Sequence, residues 1–391
     1  MQCRLRFDID WPSLFRALLG LPASKKTVER SAAQLRQFHP GKTSIASLSV
    51  RTLFDAVLSE RAGKAGDTIL MSAVNIRGMF DIASAHGYAI QCVDIDPQTL
   101  APPPGALLRA QRQSGAGVCV ISQLFGSANR LDEAAELRAR GVFVMEDAAQ
   151  SFGKDHHHGD RDADCSLFSF GPIKRYTALG GGIGVFADRE LAERVEDRLR
   201  SYPKKTDGWF RRRAMKYIAL KLLSSPVPYG LLIRAIERAG RDPDTTIGKL
   251  ARGFGGQTLI SAIRFQPPER MLVLMAQRLF SAGGESERQT RSRALLETLD
   301  PDMRHIGRRS DKHAHWLCPV YVAEPRAAVR TLRALGFDAT RGATSLCVLD
   351  EKATPNAAHL LDHIVYLPSP ADMNEPSRQR LATALQNLDK H

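Results

Sequence analysis

From about residue 45 to about residue 190 the chain alternates short apolar runs with segments of helical periodicity, and few folds accept that order. "SVRTLFDAVLSERAG" spaces Leu53, Phe54, Val57 and Leu58 as a helix does, then stops at a glycine. "GDTILMSAV" reads as a strand, "MFDIASAHG" as a helix and "YAIQCVDID" as a strand ending in acids. "GAGVCVISQLFG", "VFVMED", "CSLFSFG" and "GGGIGVFAD" read as further strands, with a helix in "LDEAAELRARG". These strand runs are apolar throughout, the pattern of strands covered on both faces. The expectation is an α/β fold whose mostly parallel central sheet carries helices on either side.

In open sheets of that kind, ligands sit beyond the carboxyl ends of the strands. "VMEDAAQSFG" puts Glu146, Asp147 and Gln150 at such an end, and acids are costly to bury unless something pairs with them. The loop after "SLFSF" is a second strand end. It carries Lys174, with no acid within eight residues on either side, five residues after Ser169 and ahead of Gly180–Gly182. An apolar setting lowers a lysine's pKa and suits it to forming Schiff bases with carbonyls. The alternative is an ordinary surface lysine opening a turn. An aspartate at one strand end, a lysine near another and small donors between them match the needs of pyridoxal phosphate. The lysine holds the aldehyde, the aspartate keeps the pyridine nitrogen protonated, and hydroxyl and backbone donors hold the phosphate.

Residues 146–182 resemble the DegT/StrS-type nucleotide-sugar aminotransferases, a branch of the fold-type I pyridoxal-phosphate enzymes. The resemblance rests on Glu146-Asp147-Ala148-Ala149-Gln150, Gly153, Gly159, Asp164, Phe168-Ser169-Phe170, Lys174, Thr177 and Gly181-Gly182, in order and spacing. It implies that Asp147 pairs with the pyridine nitrogen, Gln150 touches the ring, Ser169 binds phosphate and Lys174 carries the cofactor. It also implies a fold-type I architecture with a smaller C-terminal α+β domain and a homodimer. The activity implied is transfer of an amino group, from a donor such as glutamate, to a keto group of a sugar or nucleotide-linked sugar. Some relatives lack the lysine and dehydrate instead; Lys174 favours transamination. Other pyridoxal-phosphate chemistry, such as elimination, is the alternative activity, and a membrane-associated binding protein on a degenerate scaffold is the rival from another class. Two departures stand out. The family's Ser-Gly-Thr phosphate turn corresponds to Ser49-Val50-Arg51, and the aromatic that stacks on the ring corresponds to Asn75. Arg51 is either a phosphate fork or a helix-surface arginine.

The rest of the chain divides into an insert and a second lobe. The expected domains are 1–200, 201–255 and 256–391. The formal net charge is +13, which suits anionic partners. Between Lys204 and Arg241 ten Lys/Arg face only Asp207 and Glu237, so much of the excess sits there. "GWFRRRAMKYIALKLLSSPVPYGLLIRAIERAGR" reads as two basic amphipathic helices broken at Ser224–Pro228. Phe210, Ala214, Tyr217 and Ile218 share one apolar face, and Leu231, Leu232, Ala235 and Ile236 share the other. Such helices lie on an anionic membrane surface, or pack on the protein itself or its dimer partner. No apolar run is long enough to span a bilayer, and no secretory signal is seen. The six cysteines form no CxxC pair, consistent with reduced thiols in the cytoplasm. No zinc-like spacing accompanies His156–His158, which reads as a polar hairpin tip. Gly253–Gly256 reads as a hinge, and Arg264 as a surface residue or a contribution to a second subunit. No specific nucleic-acid partner is expected. Small-molecule partners are the amino donor and the keto-sugar acceptor.

Overall fold

The structure is a computed structural model that describes residues 1–4, 7–20, 23–61, 67–154, 157–241, 243, 246, 259–280, 286–299, 306–342 and 345–388. Its centre is a seven-stranded sheet in the order Thr43–Ser47, Gly182–Phe186, Cys165–Ser169, Phe143–Asp147, Val118–Ser122, Thr68–Ser72, Ala89–Val93. The last five in that order run parallel. Gly182–Phe186 is antiparallel to both neighbours, so the chain turns back at the end that carries the expected site. Every strand expected between 68 and 186 is present, as are the helices Val50–Arg61, Arg77–Ala85 and Ala134–Ala139. The edge strand Thr43–Ser47 is additional; its small, mixed residues carry little strand signal.

Alternate residues of each central strand serve different cores. Ile69, Met71, Val120 and Met145 meet Leu53, Phe54, Val57 and Leu58 of the Val50–Arg61 helix. Leu70, Cys119, Ile121 and Val144 meet Leu107 and Leu137 on the other face. Burial of each large side chain contributes roughly 1.5–3 kcal/mol, so the two-sided pattern fixes which strands are central.

The C-terminal lobe pairs Cys318–Tyr321 with Ile364–Leu367 and has its own core, including Leu295, Val320, Leu332 and Leu385. The helix Glu269–Phe280 belongs elsewhere: Met271, Leu274 and Met275 pack with Phe168, Phe170 and Ile183 of the large domain. A short strand, Leu346–Val348, pairs with Val74–Ile76 and brings the lobe against the end of the central sheet.

The insert forms two helices, Asp207–Leu223 and Pro226–Arg238, interrupted where the sequence placed the break. Thr206 caps the first through the amide of Trp209, and Pro226 opens the second, where a missing N–H costs nothing. Their two expected apolar faces fare differently. Phe210, Ala214 and Tyr217 are buried in the large-domain core, the alternative in which the insert packs on the protein itself. In the second helix Ile236 packs with Tyr229 and Ile233 against Cys3, whereas Leu231 and Ala235 of the expected face are exposed. Among the described residues the cysteines form no disulfide, and no helix is long and apolar enough to cross a membrane. Gly253–Gly256 and His156 lie outside the described residues.

Candidate active site

Four strand ends converge. Ser47, Gly182 and Ser169 stand side by side in register, and Asp147, the last residue of the next strand, pairs with Leu167, two residues short of Ser169 along the strand. The chain leaves Ser169 through Gly171, whose missing Cβ would lie 3.6 Å from Ser169 Oγ and 3.9 Å from Lys174 Cγ. A tight turn, with the Lys174 amide donating to the Gly171 carbonyl at 3.0 Å, then sets the lysine. Tyr176 and Leu179 hold left-handed φ of 52° and 62°, strain of the kind that collects at functional sites. Phe170's carbonyl accepts from the amides of Ala178 and Gly180, closing the loop on itself.

Lys174 is half-buried, and desolvation of its amine lowers its pKa to about 7 even though Asp147 pulls it upward. Its Nζ lies 3.7 Å from the ring centre of Trp316 and makes no hydrogen bond or ion pair among the described residues. The Trp316 indole is itself anchored, donating to the Ile173 carbonyl at 3.0 Å.

Asp147 is 7% exposed, and burial pushes its carboxyl upward against the Ala149 amide, Lys174 and Asn75. The Ala149 amide donates to its Oδ1 at 3.1 Å, and Asn75 Nδ2 to its Oδ2 at 3.4 Å. Asn75 also donates to Ser122 Oγ at 2.9 Å, so the residue expected beside the ring is seated against the aspartate. Gln150 turns its amide oxygen to the Phe125 amide at 2.9 Å. Burial thus drives both Lys174 and Asp147 toward their neutral forms, and no ion pair joins them. A buried amine and acid, near but unbonded, with a serine hydroxyl and glycine backbone beside them, are the donor set that a phosphorylated pyridine aldehyde requires. The residues fit pyridoxal phosphate.

The Ser49–Arg51 turn rests directly on Gly182, where a Cβ would meet Val50 N at 2.7 Å. Ser49 acts as a helix cap: its Oγ accepts from the Thr52 amide at 3.2 Å and shares a hydrogen bond with Thr52 Oγ1 at 2.9 Å. Val50 is buried. Arg51 reaches past the start of the Arg77–Ala85 helix, where a Cβ on Gly78 would lie 3.4 Å from its Cδ. It is partly buried there.

A family model described as the DegT/DnrJ/EryC1/StrS aminotransferase family matches residues 23–218, half of the chain. The chain belongs to that family. It is 27% identical over 186 residues to an L-glutamine:2-deoxy-scyllo-inosose aminotransferase of Micromonospora echinospora, over 46% of this chain and 44% of that protein. The match therefore spans less than half the length of that curated relative. Among solved structures, Helicobacter pylori PseC, an aminotransferase involved in the biosynthesis of pseudoaminic acid, superposes with a TM-score of 0.69 at 13% identity, covering 100% of this chain and 99% of that one. An E. coli GDP-4-keto-6-deoxy-D-mannose-3-dehydratase with bound hydrated PLP superposes at 0.68 with 15% identity, covering 98% and 99%. These structural likenesses carry the fold: a fold-type I architecture, as expected.

Within this family member, three neighbours of the site escaped the sequence analysis. Trp316 comes from a strand-like run in the distant C-terminal lobe, and nothing local marks it. Arg213 sits in the insert and donates from Nε to the Leu179 carbonyl. His157, read as part of a polar hairpin tip, is mostly covered, its side chain 11% exposed, and its Nε2 lies 2.7 Å from Glu146 Oε1. Glu146 also takes hydrogen bonds from Gln123, Ser166 and the Asp160 amide. That set supports the Glu146–Asp147 strand end from behind. Arg264 pairs through two nitrogens with the buried Asp55, at 2.9 and 3.0 Å, alongside His86 and Tyr202. This is a structural pair within the chain.

Proposed function

We propose that this protein is a pyridoxal-phosphate-dependent aminotransferase that moves an amino group, from glutamate or a related donor, to a keto group of a sugar or nucleotide-linked sugar. The observation that carries the reading is the buried, half-neutral Lys174 amine beside Asp147 and Ser169, at the positions where the family's pattern has them. The cofactor supplies an electron sink for breaking the bond to hydrogen at the substrate's amino-bearing carbon. Asp147 holds a proton at the ring nitrogen, Gln150 orients the ring, and Ser169, Ser49, the Val50 backbone and Arg51 hold the phosphate. Asn75 fixes the Asp147 carboxylate. Lys174, with a pKa of about 7, accepts and returns the proton at that carbon near neutral pH. Trp316 keeps water from the amine. The Micromonospora relative, named for L-glutamine and a cyclic ketone, supports an amino-acid donor and a sugar-like acceptor. Lys174 itself weighs against a dehydratase reading. The test is incubation of the cofactor-loaded protein with glutamate alone. Stoichiometric 2-oxoglutarate, with loss of the visible cofactor band, is expected; an unchanged spectrum with a panel of amino acids contradicts the proposal.

The proposal includes a cytoplasmic homodimer, checked by sedimentation, and the division into domains 1–200, 201–255 and 256–391, with the first helices of the last docked on the large core. No specific nucleic acid is among the partners. Weak peripheral contact with an anionic membrane rests on what the insert leaves outside. Met215, Leu222, Val227 and Leu231 are exposed, and Arg211, Arg212, Lys216 and Arg234 are exposed among them. Flotation with anionic but not neutral liposomes, lost on Leu222→Glu with Leu231→Glu, is expected; equal flotation of both proteins, or of neither, contradicts it.

A further inference from the structure

Arg51 and Arg213 approach the same end of the central sheet from two parts of the chain. The Ser49–Arg51 turn follows Ser47, and the Lys174–Leu179 loop follows Ser169; Ser47 and Ser169 flank Gly182 in the sheet. Arg51 therefore stands at one lip of this sheet end. Arg213 stands at the other: its Nε holds the Leu179 carbonyl, and a Cβ on Gly180 would lie 3.8 Å from that nitrogen. The insert helix places it there by burying Phe210, Ala214 and Tyr217 on the large core, so the insert's basic residue turns inward. Among the described residues no carboxylate pairs with Arg213. Burial and the nearby Arg213 charge both pull Arg51 below its ordinary pKa. One turn on, the Tyr217 hydroxyl is buried without a hydrogen-bond partner among the described residues, its ring 5.4 Å from the Arg213 guanidinium carbon. A phosphate has several oxygens and can answer two guanidinium forks at once.

We propose that Arg213, from the insert, joins Arg51 in gripping the cofactor's phosphate. The phosphate turn here has lost the glycine and the hydroxyl residue that the family's Ser-Gly-Thr would supply, and two charges replace them. The insert is then a part of the cofactor site as well as a surface element. This inference rests on the cofactor reading above and adds to it a residue outside the family's motif.

The experiment compares pyridoxal phosphate with pyridoxal, which lacks only the phosphate, binding to cofactor-free protein followed by quenching of tryptophan fluorescence. A charge-assisted hydrogen bond is worth about 1.5–3 kcal/mol, roughly a 10- to 100-fold change in affinity. Arg213→Gln and Arg51→Gln should each weaken pyridoxal phosphate by about that factor while leaving pyridoxal within about twofold, and Arg213→Lys should recover part of the loss. Unchanged pyridoxal phosphate affinity in Arg213→Gln overturns the inference. So does an equal loss for both ligands, which would mark a structural residue. Failure of the wild-type protein to bind pyridoxal phosphate at all overturns the cofactor reading itself, a separate outcome.

Discussion

Replacing His157 with leucine should destabilise the large domain by about 3 kcal/mol at pH 6, and by less at pH 9. Glu146 is fully buried, and burial alone would push its carboxyl up. The His157 charge and the donors from His157, Ser166 and the Asp160 amide overcome this and hold it at about 2 against an ordinary 4.5. That difference corresponds to about 3 kcal/mol of differential interaction with the ionised form. Breaking a buried pair by removing one partner typically costs about 3–5 kcal/mol. The leucine variant keeps the Gln123, Ser166 and Asp160 donors, so the lower end applies. The signs set the pH window. A depressed Glu146 stabilises above about 4.5 and loses that contribution as pH falls toward 2. His157 is raised above its ordinary 6.5, because Glu146 outweighs its burial. It stabilises below that value and loses its contribution as pH rises through the folded one. The pair is strongest between about pH 4.5 and 6.5. Urea unfolding followed by far-ultraviolet circular dichroism at pH 6 and pH 9 measures it. A loss below about 1 kcal/mol at pH 6, or the same loss at both pH values, refutes the reasoning.

Asp147→Asn should retain bound cofactor but lose most turnover, since an amide cannot hold the ring nitrogen protonated; near-normal rates in a donor half-reaction assay would remove Asp147 from the chemistry. The rate at which cofactor-free protein takes up pyridoxal phosphate should rise about tenfold per pH unit below about 7 and level off above it, following the Lys174 amine; a midpoint near the ordinary 10.5 would deny the depressed pKa. Trp316→Ala should move that midpoint upward by admitting water, because burial and not the ring's attraction for a cation dominates at Lys174; a downward shift would show the cation–ring contact to be the larger effect.

The parallel sheet was legible because uninterrupted apolar strands and intervening helices leave few arrangements, and the Asp147–Lys174 region because its motif lies within one short stretch. What was not legible came from longer-range contacts. The amphipathic stripe of Phe210, Ala214 and Tyr217 looks the same from the sequence whether it faces lipid or a core, and its partners Phe7 and Ile183 lie far away in the chain. His157 sits in a run of polar residues, and only the folded position of Glu146 explains its burial. Trp316 lies 142 positions from Lys174 in the chain, and Arg213 turns inward only because its helix is docked. Arg51, left open between a phosphate ligand and a surface residue, runs close to Gly78 and is partly buried, a contact its helix periodicity did not reveal.

The most direct test of the central claim is chemical. Purified protein loaded with pyridoxal phosphate is reduced with borohydride, digested and mapped by mass spectrometry. The account predicts a single pyridoxyl-modified peptide carrying the modification on Lys174, absent from Lys174→Ala. A modified peptide elsewhere, or the same yield of modification in Lys174→Ala, would contradict it.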